Sequence, residues 1–164
     1  MTRYLPYILY LWLIGLHQVI LSDLTVILGV NINIVMLIVV IVALFKSEIN
    51  TLWFSFFAGL VGYAGNVGSL GWYVLFTMIV AMCVYYIKIR MNLESMKTKV
   101  LFLIGGVLAH NIFLLILSDI DNFLIFFIKQ ALLGALYTMF IGWVFFLIKE
   151  ENLTYKKIRS IFSV

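Results

Sequence analysis

Six long apolar runs divide the chain, and short polar or small-residue segments separate them. The runs cover about 5–21, 33–45, 51–65, 70–87, 100–117 and 123–148. Each run is continuously apolar, which is typical of membrane-spanning helices and not of barrel strands, where apolar and polar residues alternate. The pattern predicts an all-α integral membrane protein with a six-helix transmembrane domain over 1–148 and a tail over 149–164.

The segments between the runs predict connectors of different kinds. Segment 22–31 is apolar but too short to span, so we expect it to lie at the outer interface or to re-enter the membrane. Segment 65–69 supplies turn residues between the third and fourth runs. Segment 88–99 is the one sizeable internal polar loop.

The positions of Lys and Arg predict the orientation in the membrane. Ten of the eleven basic residues fall in segments that six crossings place on one side, namely Arg3, Lys46, Lys88, Arg90, Lys97, Lys99, Lys149, Lys156, Lys157 and Arg159. The opposite connectors carry none. The positive-inside rule therefore predicts that both termini are cytoplasmic.

Composition supports a membrane protein and argues against a soluble domain, a nucleic-acid-binding protein and a disulfide-bonded fold. The chain is 65% hydrophobic and 11% charged, which exceeds what a soluble domain of 164 residues can bury. The net charge of +4 comes from residues that flank the apolar runs, so it predicts contact with anionic lipid and not with nucleic acid. The single cysteine, Cys83, permits no internal disulfide, and no spacing predicts a metal site.

The segment 55–72 is the most unusual stretch, because it holds five of the eleven glycines at intervals of three residues. A helix repeats every 3.6 residues, so five such glycines cannot form one stripe. We predict one helix face on which small residues admit a close neighbour, followed by a turn over 65–69. The candidate helix-packing or partner-contact residues are Ser55, Ala58, Gly59, Gly62, Gly68, Leu70 and Gly71.

The sixth run carries a second small-residue face. Gly134, Thr138 and Gly142 are spaced four residues apart and therefore share one side of a helix. This spacing predicts close packing against a neighbouring helix.

Several polar residues lie inside apolar runs, where they are costly. Lys129 is predicted to reach outward to Asp119 or Asp121, or to contact a ligand or a partner. The other polar residues favour hydrogen bonds between helices over catalysis. Together they form a candidate polar pocket of His17, Gln18, His110, Asn111, Lys129 and Gln130.

The pattern shows no catalytic constellation. All seven carboxylates fall in loops or at the ends of runs, and no serine or cysteine can be paired with a base from spacing. We therefore predict a non-enzyme with no cofactor, no metal ion and no catalytic residue.

At this point the chain resembles the rod shape-determining protein MreD family. The resemblance rests on the first helix ending near Gln18, on the Gly-Val-Asn of 29–31, and on Ala58-Gly59-Leu60-Val61-Gly62 leading to Ser69-Leu70-Gly71. The length, the six helices and the cytoplasmic termini also agree. The chain departs from the family pattern in two places. Tyr63 stands where an aspartate is common, and the segment Asn31 to Asn33 stands where a proline is common. No role of that aspartate can be carried over.

The resemblance implies a scaffold of the elongasome, the inner-membrane complex that builds the lateral cell wall and maintains rod shape in bacteria. Its implied partner is an MreC-like single-span protein. Through that protein it would reach a RodA-like glycosyltransferase and a class B penicillin-binding transpeptidase. The implied fold is similar to the S components of energy-coupling-factor transporters.

Two other functions remain open. An S component would bind a vitamin-like molecule from outside, with Lys129, Gln130, His110 and Asn111 in its lining. A lipid-modifying enzyme is less favoured, because the acid/base pair that it needs is missing.

Overall fold

The computed structural model describes residues 4–27, 29–91, 95–117 and 123–149. These residues form six helices: α1 Leu5–Leu21, α2 Ile34–Phe45, α3 Glu48–Gly62, α4 Leu70–Arg90, α5 Met96–Leu117 and α6 Phe123–Lys149. The only strand-like pairing among the described residues is one isolated bridge between Ile27 and Val30. The all-α class predicted from the apolar runs is confirmed.

Three segments are long and apolar enough to cross a membrane: Val67–Arg90, Met96–Leu117 and Phe123–Lys149. Two more helices, Leu5–Leu21 and Ile34–Phe45, are apolar but shorter. The lengths and composition are those of an integral membrane protein.

The shortest apolar helix, α2, forms the centre of the bundle. Ten of its 12 residues are buried, and it contacts each of the other five helices. A helix that is apolar on every side is a buried helix. The continuous apolar run of α2 therefore reflects neighbouring helices on all sides.

The third helix begins and ends three residues earlier than predicted. It covers Glu48–Gly62, whereas the apolar run suggested 51–65. Ser47 has an extended backbone and accepts a hydrogen bond from the Thr51 hydroxyl at 3.0 Å, and Glu48 places a carboxylate in the first turn, where the helix dipole favours it. Hydropathy alone left these polar residues outside the helix.

The polar loop predicted over 88–99 is shorter in the structure. The fourth helix continues to Arg90 and the fifth begins at Met96, while 92–94 lie outside the described residues. Lys88 belongs to the last turn of α4, and its ammonium donates to the carbonyls of Ala43 at 2.6 Å and Lys46 at 3.0 Å. These bonds satisfy carbonyls at the end of α2 and join α4 to it.

Basic side chains gather at this same end of α2. The Lys149 ammonium lies 3.1 Å from the centroid of the Phe45 ring, and that of Lys99 lies 5.9 Å from it. Lys46 lies 5.7 Å from the Tyr7 ring centroid. We call this the basic end. Arg3 and the predicted tail residues 150–164 lie outside the described residues, as do Asp119 and Asp121.

The connector between α1 and α2 lies at the opposite end. It contains a short 3₁₀ turn, Asp23–Thr25, and the paired backbone groups of Ile27 and Val30. Gly29, with φ at +75°, takes a conformation that side chains rarely allow. Val30 and Ile32 are buried, so this connector packs onto the end of the bundle opposite the basic end.

Candidate functional site

A hydrogen-bonded polar cluster begins at Asn33, which caps α2. Its side-chain oxygen accepts from the backbone N–H of Met36 at 3.0 Å, which is the usual bond of a helix N-cap. Because that bond assigns the oxygen, the amide nitrogen must point the other way. It donates to Asn111 Oδ1 at 2.7 Å and lies 3.3 Å from Nδ1 of His110.

This orientation determines the form of His110, which is fully buried. The Asn33 amide nitrogen is a donor, so Nδ1 of His110 must be an acceptor and the ring proton must be on Nε2. That N–H faces the Thr77 hydroxyl at 3.2 Å and the Tyr63 hydroxyl at 3.4 Å. Thr77 donates its own proton to the Tyr73 carbonyl at 2.8 Å and is therefore free to accept. His110 is thus held by contacts with Asn33, Tyr63 and Thr77.

The sixth helix joins the same cluster. The Thr138 hydroxyl donates to the Gly134 carbonyl at 2.7 Å and accepts from the backbone N–H of Asn33 at 3.0 Å. Asn111 donates to the Gln130 carbonyl at 3.3 Å. Among the described residues, no buried side-chain nitrogen or oxygen lacks a partner. The cluster thus links α2, α5 and α6 through satisfied bonds.

A cavity of about 360 Å³ opens beside this cluster, at the end opposite the basic end. Among the described residues, its polar lining contains amides, hydroxyls and the imidazole of His17, with no carboxylate, ammonium or guanidinium group. The polar residues that line it are His17, Gln18, Ser22, Asn31, Asn33, Tyr63, Asn66, Tyr73, Asn111 and Gln130. The part of the lining that the structure describes is therefore polar and has no group with a permanent charge.

Two distorted helical segments flank this cavity. The last turn of α1, His17–Leu21, and the segment Phe127–Leu133 of α6 are both π-helical. Each contributes lining residues, His17 and Gln18 from the first and Gln130 from the second. Such segments are rare and occur frequently at functional sites. His17 is also fixed by a 3.0 Å bond to the Thr25 hydroxyl, which ties α1 to the connector.

The structure brings together most of the predicted polar pocket. His17, Gln18, Asn111 and Gln130 line the cavity, and His110 lies behind them in the buried cluster. Lys129 is exposed and is not part of the lining. Its predicted partners, Asp119 and Asp121, lie outside the described residues.

Sequence reasoning missed Asn33, Tyr63 and Thr77 as members of the cluster. An asparagine directly before a continuous apolar run is a helix-start signal, and it could have identified Asn33. No local pattern identifies Tyr63 or Thr77. Tyr63 directly follows α3 and Thr77 lies on α4, and they meet His110 only through the tertiary fold.

The first predicted small-residue face lies where α3 meets its neighbours. Ser55, Ala58, Gly59 and Gly62 are all buried. A Cβ at Gly59 would lie 3.0 Å from the Cα of Val74, which shows how closely the α3 and α4 backbones approach. A Cβ at Gly62 would collide with the side chain of Val35 on α2.

The second small-residue face packs in the same way. Gly134, Thr138 and Gly142 are buried on α6. A Cβ at Gly142 would collide with Leu103 of α5 and would lie 3.0 Å from Cδ1 of Leu37 on α2.

The two remaining candidate glycines of segment 55–72 face outward, whereas Leu70 is half-buried against the core. Gly68 and Gly71 are exposed, and a Cβ at either position would meet no atom of the described residues within 4 Å. Leu70 and Gly71 help to line an apolar groove of about 590 Å³ between α3 and α4. We call it the α3/α4 groove; its lining is Leu52, Phe56, Leu60, Leu70, Gly71, Val74, Leu75, Met78, Ile79 and Met82.

The geometry assembles no metal centre in the part of the chain that the structure describes, where no group of three His, Cys, Asp or Glu side chains converges. Comparison with known proteins gives no assignment either: no family model, no curated protein and no solved structure matches this chain.

Proposed function

We propose that all six helices cross the membrane and that the basic end faces the cytoplasm. The ammonium groups of Lys88, Lys99 and Lys149 lie around the end of α2, while the described lining of the cavity at the opposite end includes no Lys, Arg, Asp or Glu. Cytoplasmic segments of membrane proteins carry this excess of Lys and Arg. The same end offers cations to anionic lipid headgroups.

With this orientation in the membrane, we propose that the protein is a non-catalytic scaffold of the bacterial cell-wall elongation complex. The observation that carries the proposal is the α3/α4 groove. It lies on the hairpin that bears the family-like segment, and Leu70 and Gly71 of that segment line it.

The chemistry of the groove favours an apolar helix as its occupant. All ten lining residues are apolar or glycine, and Leu75 and Ile79 are more than 40% exposed. The lining on α4 extends from residue 70 to 82, which is about 18 Å of helix. Gly71 leaves one end of the groove open to a closely approaching backbone. We infer that the occupant is the membrane helix of an MreC-like single-span protein.

That partner would connect the scaffold to the wall synthases. The RodA-like glycosyltransferase and the class B penicillin-binding transpeptidase would then be held indirectly. The scaffold's own contribution is a rigid docking face, stabilised from within by the buried glycine contacts of α3 and by the polar cluster.

Site-specific photo-crosslinking in the native host tests this proposal. A photoreactive residue at Leu75 or Ile79 should capture a single-span membrane protein, whereas one at Leu101, an exposed residue of α5 outside the groove, should not. Equal capture from Leu101, or capture of lipid alone from the groove, would contradict the proposal.

A pair of glycine variants provides the matched control. Gly71→Leu fills the groove at a position with free space, so the protein should reach normal membrane levels and lose the crosslink. Gly105→Leu places the same side chain at another open glycine, on α5, and should retain it. Retention of the crosslink by Gly71→Leu would show that the groove is not the contact.

The cavity supports a second candidate function, the substrate-binding S component of an energy-coupling-factor transporter. Of the four residues expected in such a pocket, Asn111 and Gln130 line it, whereas His110 lies in the buried cluster behind it and Lys129 lies outside the lining. An S component would carry its docking surface for the transmembrane coupling protein on small-residue helix faces. Identification of the crosslinked protein distinguishes the two functions.

A further inference from the structure

We propose that the cavity of about 360 Å³ is a binding site for an uncharged, polyhydroxylated small molecule of about monosaccharide size. The site is separate from the α3/α4 groove and does not depend on the scaffold role. If the S-component function is correct, this is its substrate site.

The size of the cavity sets the first limit. Binding pockets for small molecules span about 300–1,000 Å³, so this cavity lies near the lower bound. A single ring with short substituents fits that volume, whereas a large cofactor does not.

The charge of the lining sets the second limit. A charged ligand would lose hydration on binding and would find no carboxylate, ammonium or guanidinium group among the lining residues that the structure describes. An uncharged ligand has no such cost if its polar groups are matched. The lining therefore selects against anions and cations.

The chemistry of the lining selects hydroxyl groups. Side-chain amides both donate and accept, as hydroxyl groups do, and six of the ten polar lining residues are Asn or Gln. Gln18, Asn31, Asn66 and Gln130 are exposed and surround the open side of the cavity, where a ligand would meet them first.

The buried cluster holds the deeper side of the lining in one orientation. Asn33 is fixed by its cap bond to Met36, and Asn111 is fixed by bonds to Asn33 and to the Gln130 carbonyl. The aromatic rings of Tyr63 and Tyr73, with centroids 4.9 Å apart, support one wall. A preformed lining reduces the entropy that binding must overcome.

Cysteine accessibility in membranes measures the charge selection directly. On a Cys83→Ser background, Leu114→Cys places a thiol in the cavity lining, and Val67→Cys places one on the exposed surface nearby. The probes are a neutral methanethiosulfonate and its sulfonate and trimethylammonium counterparts. The neutral probe should modify Leu114→Cys about tenfold faster than either charged probe, because the charged probes would lose hydration without compensation. The rate at the exposed Val67→Cys gives the intrinsic reactivity of each probe, and the difference at Leu114→Cys is expected after each rate is divided by this reference.

A matched set of sugars then tests binding. Glucose should protect Leu114→Cys from the neutral probe, whereas equal concentrations of glucosamine, a cation, or glucuronate, an anion, should not. Gln130→Glu adds one negative charge to the lining at nearly constant shape, and it should shift the preference towards the trimethylammonium probe.

Three results would overturn the proposal. The first is no reaction of Leu114→Cys with the neutral probe, which would mean a closed cavity. The second is equal rates for charged and neutral probes relative to their rates at Val67→Cys, which would mean no selection against charge. The third is reaction without protection by glucose, which would mean that the cavity admits solutes but does not bind this class.

Discussion

Two adjacent glycines on α5 should respond in opposite directions to the addition of one methyl group. Gly105 and Gly106 are consecutive, so their Cα–Cβ directions differ by about 100° around the helix. A Cβ at Gly105 would meet nothing within 4 Å. A Cβ at Gly106 would lie 2.9 Å from Cγ2 of Val40 and 3.3 Å from Cγ2 of Val84.

The magnitude follows from these distances. Carbon atoms in optimal contact are about 3.5–4.0 Å apart, so the new methyl at Gly106 would overlap two side chains. Val40 and Val84 are buried, and each has one strongly preferred rotamer in a helix, so neither can turn away. Overpacking of this kind costs about 1–3 kcal/mol. Replacing glycine by alanine within a helix returns about 1 kcal/mol.

We therefore expect Gly106→Ala to lower the free energy of unfolding by up to about 2 kcal/mol. We expect Gly105→Ala to raise it by up to about 1 kcal/mol. Since 1 kcal/mol shifts Tm by about 2–4 °C in a protein of this size, the two variants should differ by several degrees. Thermal unfolding of the purified proteins in one mild detergent measures the difference. Equal Tm values, or a lower Tm for Gly105→Ala, would refute the packing of α5 against α2 and α4.

The remaining predictions concern the buried cluster, the basic end and topology. Thr138→Val leaves the backbone N–H of Asn33 unpaired and should lower the free energy of unfolding by about 1–3 kcal/mol. Thr138→Ser keeps the accepting hydroxyl and should therefore keep most of the wild-type stability. Asn33→Asp keeps the cap but places a carboxylate oxygen against Asn111 Oδ1, so it should lower Tm, and an unchanged Tm would refute the assigned amide orientation. Lys88→Met removes two hydrogen bonds to the end of α2 and should lower the free energy of unfolding by about 1–3 kcal/mol. Lys88→Arg can still donate to these carbonyls and should keep part of the wild-type stability. A reporter active only in the periplasm should be silent at either terminus, and activity at either one would contradict the topology.

The sequence predicted the helices well because hydropathy follows burial in lipid or protein. The apolar runs gave α1 at Leu5–Leu21 and α2 within one residue of Ile34–Phe45. The ends were less accurate where polar residues belong to a helix: Glu48 begins α3 and Lys88 lies in the last turn of α4. Charged side chains at helix ends lower the local hydropathy without ending the helix.

The candidate site was only partly predictable, because its members are close in space and distant in sequence. Polar residues inside apolar runs drew attention to His17, Gln18, His110 and Asn111, and the fold brings them to one region. Lys129 was selected by the same argument, yet it lies on the exposed side of α6 and outside the cavity. Helix rotation decides which side a residue takes, and a uniformly apolar helix gives little indication of that rotation.

The glycine segment shows the same limit. The spacing of three residues predicted that one group of small residues would pack and another would turn the chain. In the structure Gly59 and Gly62 pack, and the helix ends at Gly62, before the predicted turn over 65–69. Gly71 faces the α3/α4 groove, which no periodicity could indicate because the groove requires two helices.

The central claim is the scaffold role, and the most direct measurement is a mild-detergent pull-down of the tagged protein from its own host, analysed by mass spectrometry. Gly71→Leu and Gly105→Leu serve as the matched pair. The account predicts that the wild type and Gly105→Leu recover an MreC-like protein together with wall synthases, and that Gly71→Leu does not. Recovery of a transmembrane coupling protein with paired ATPases would contradict the scaffold role and would make the protein a substrate-binding subunit.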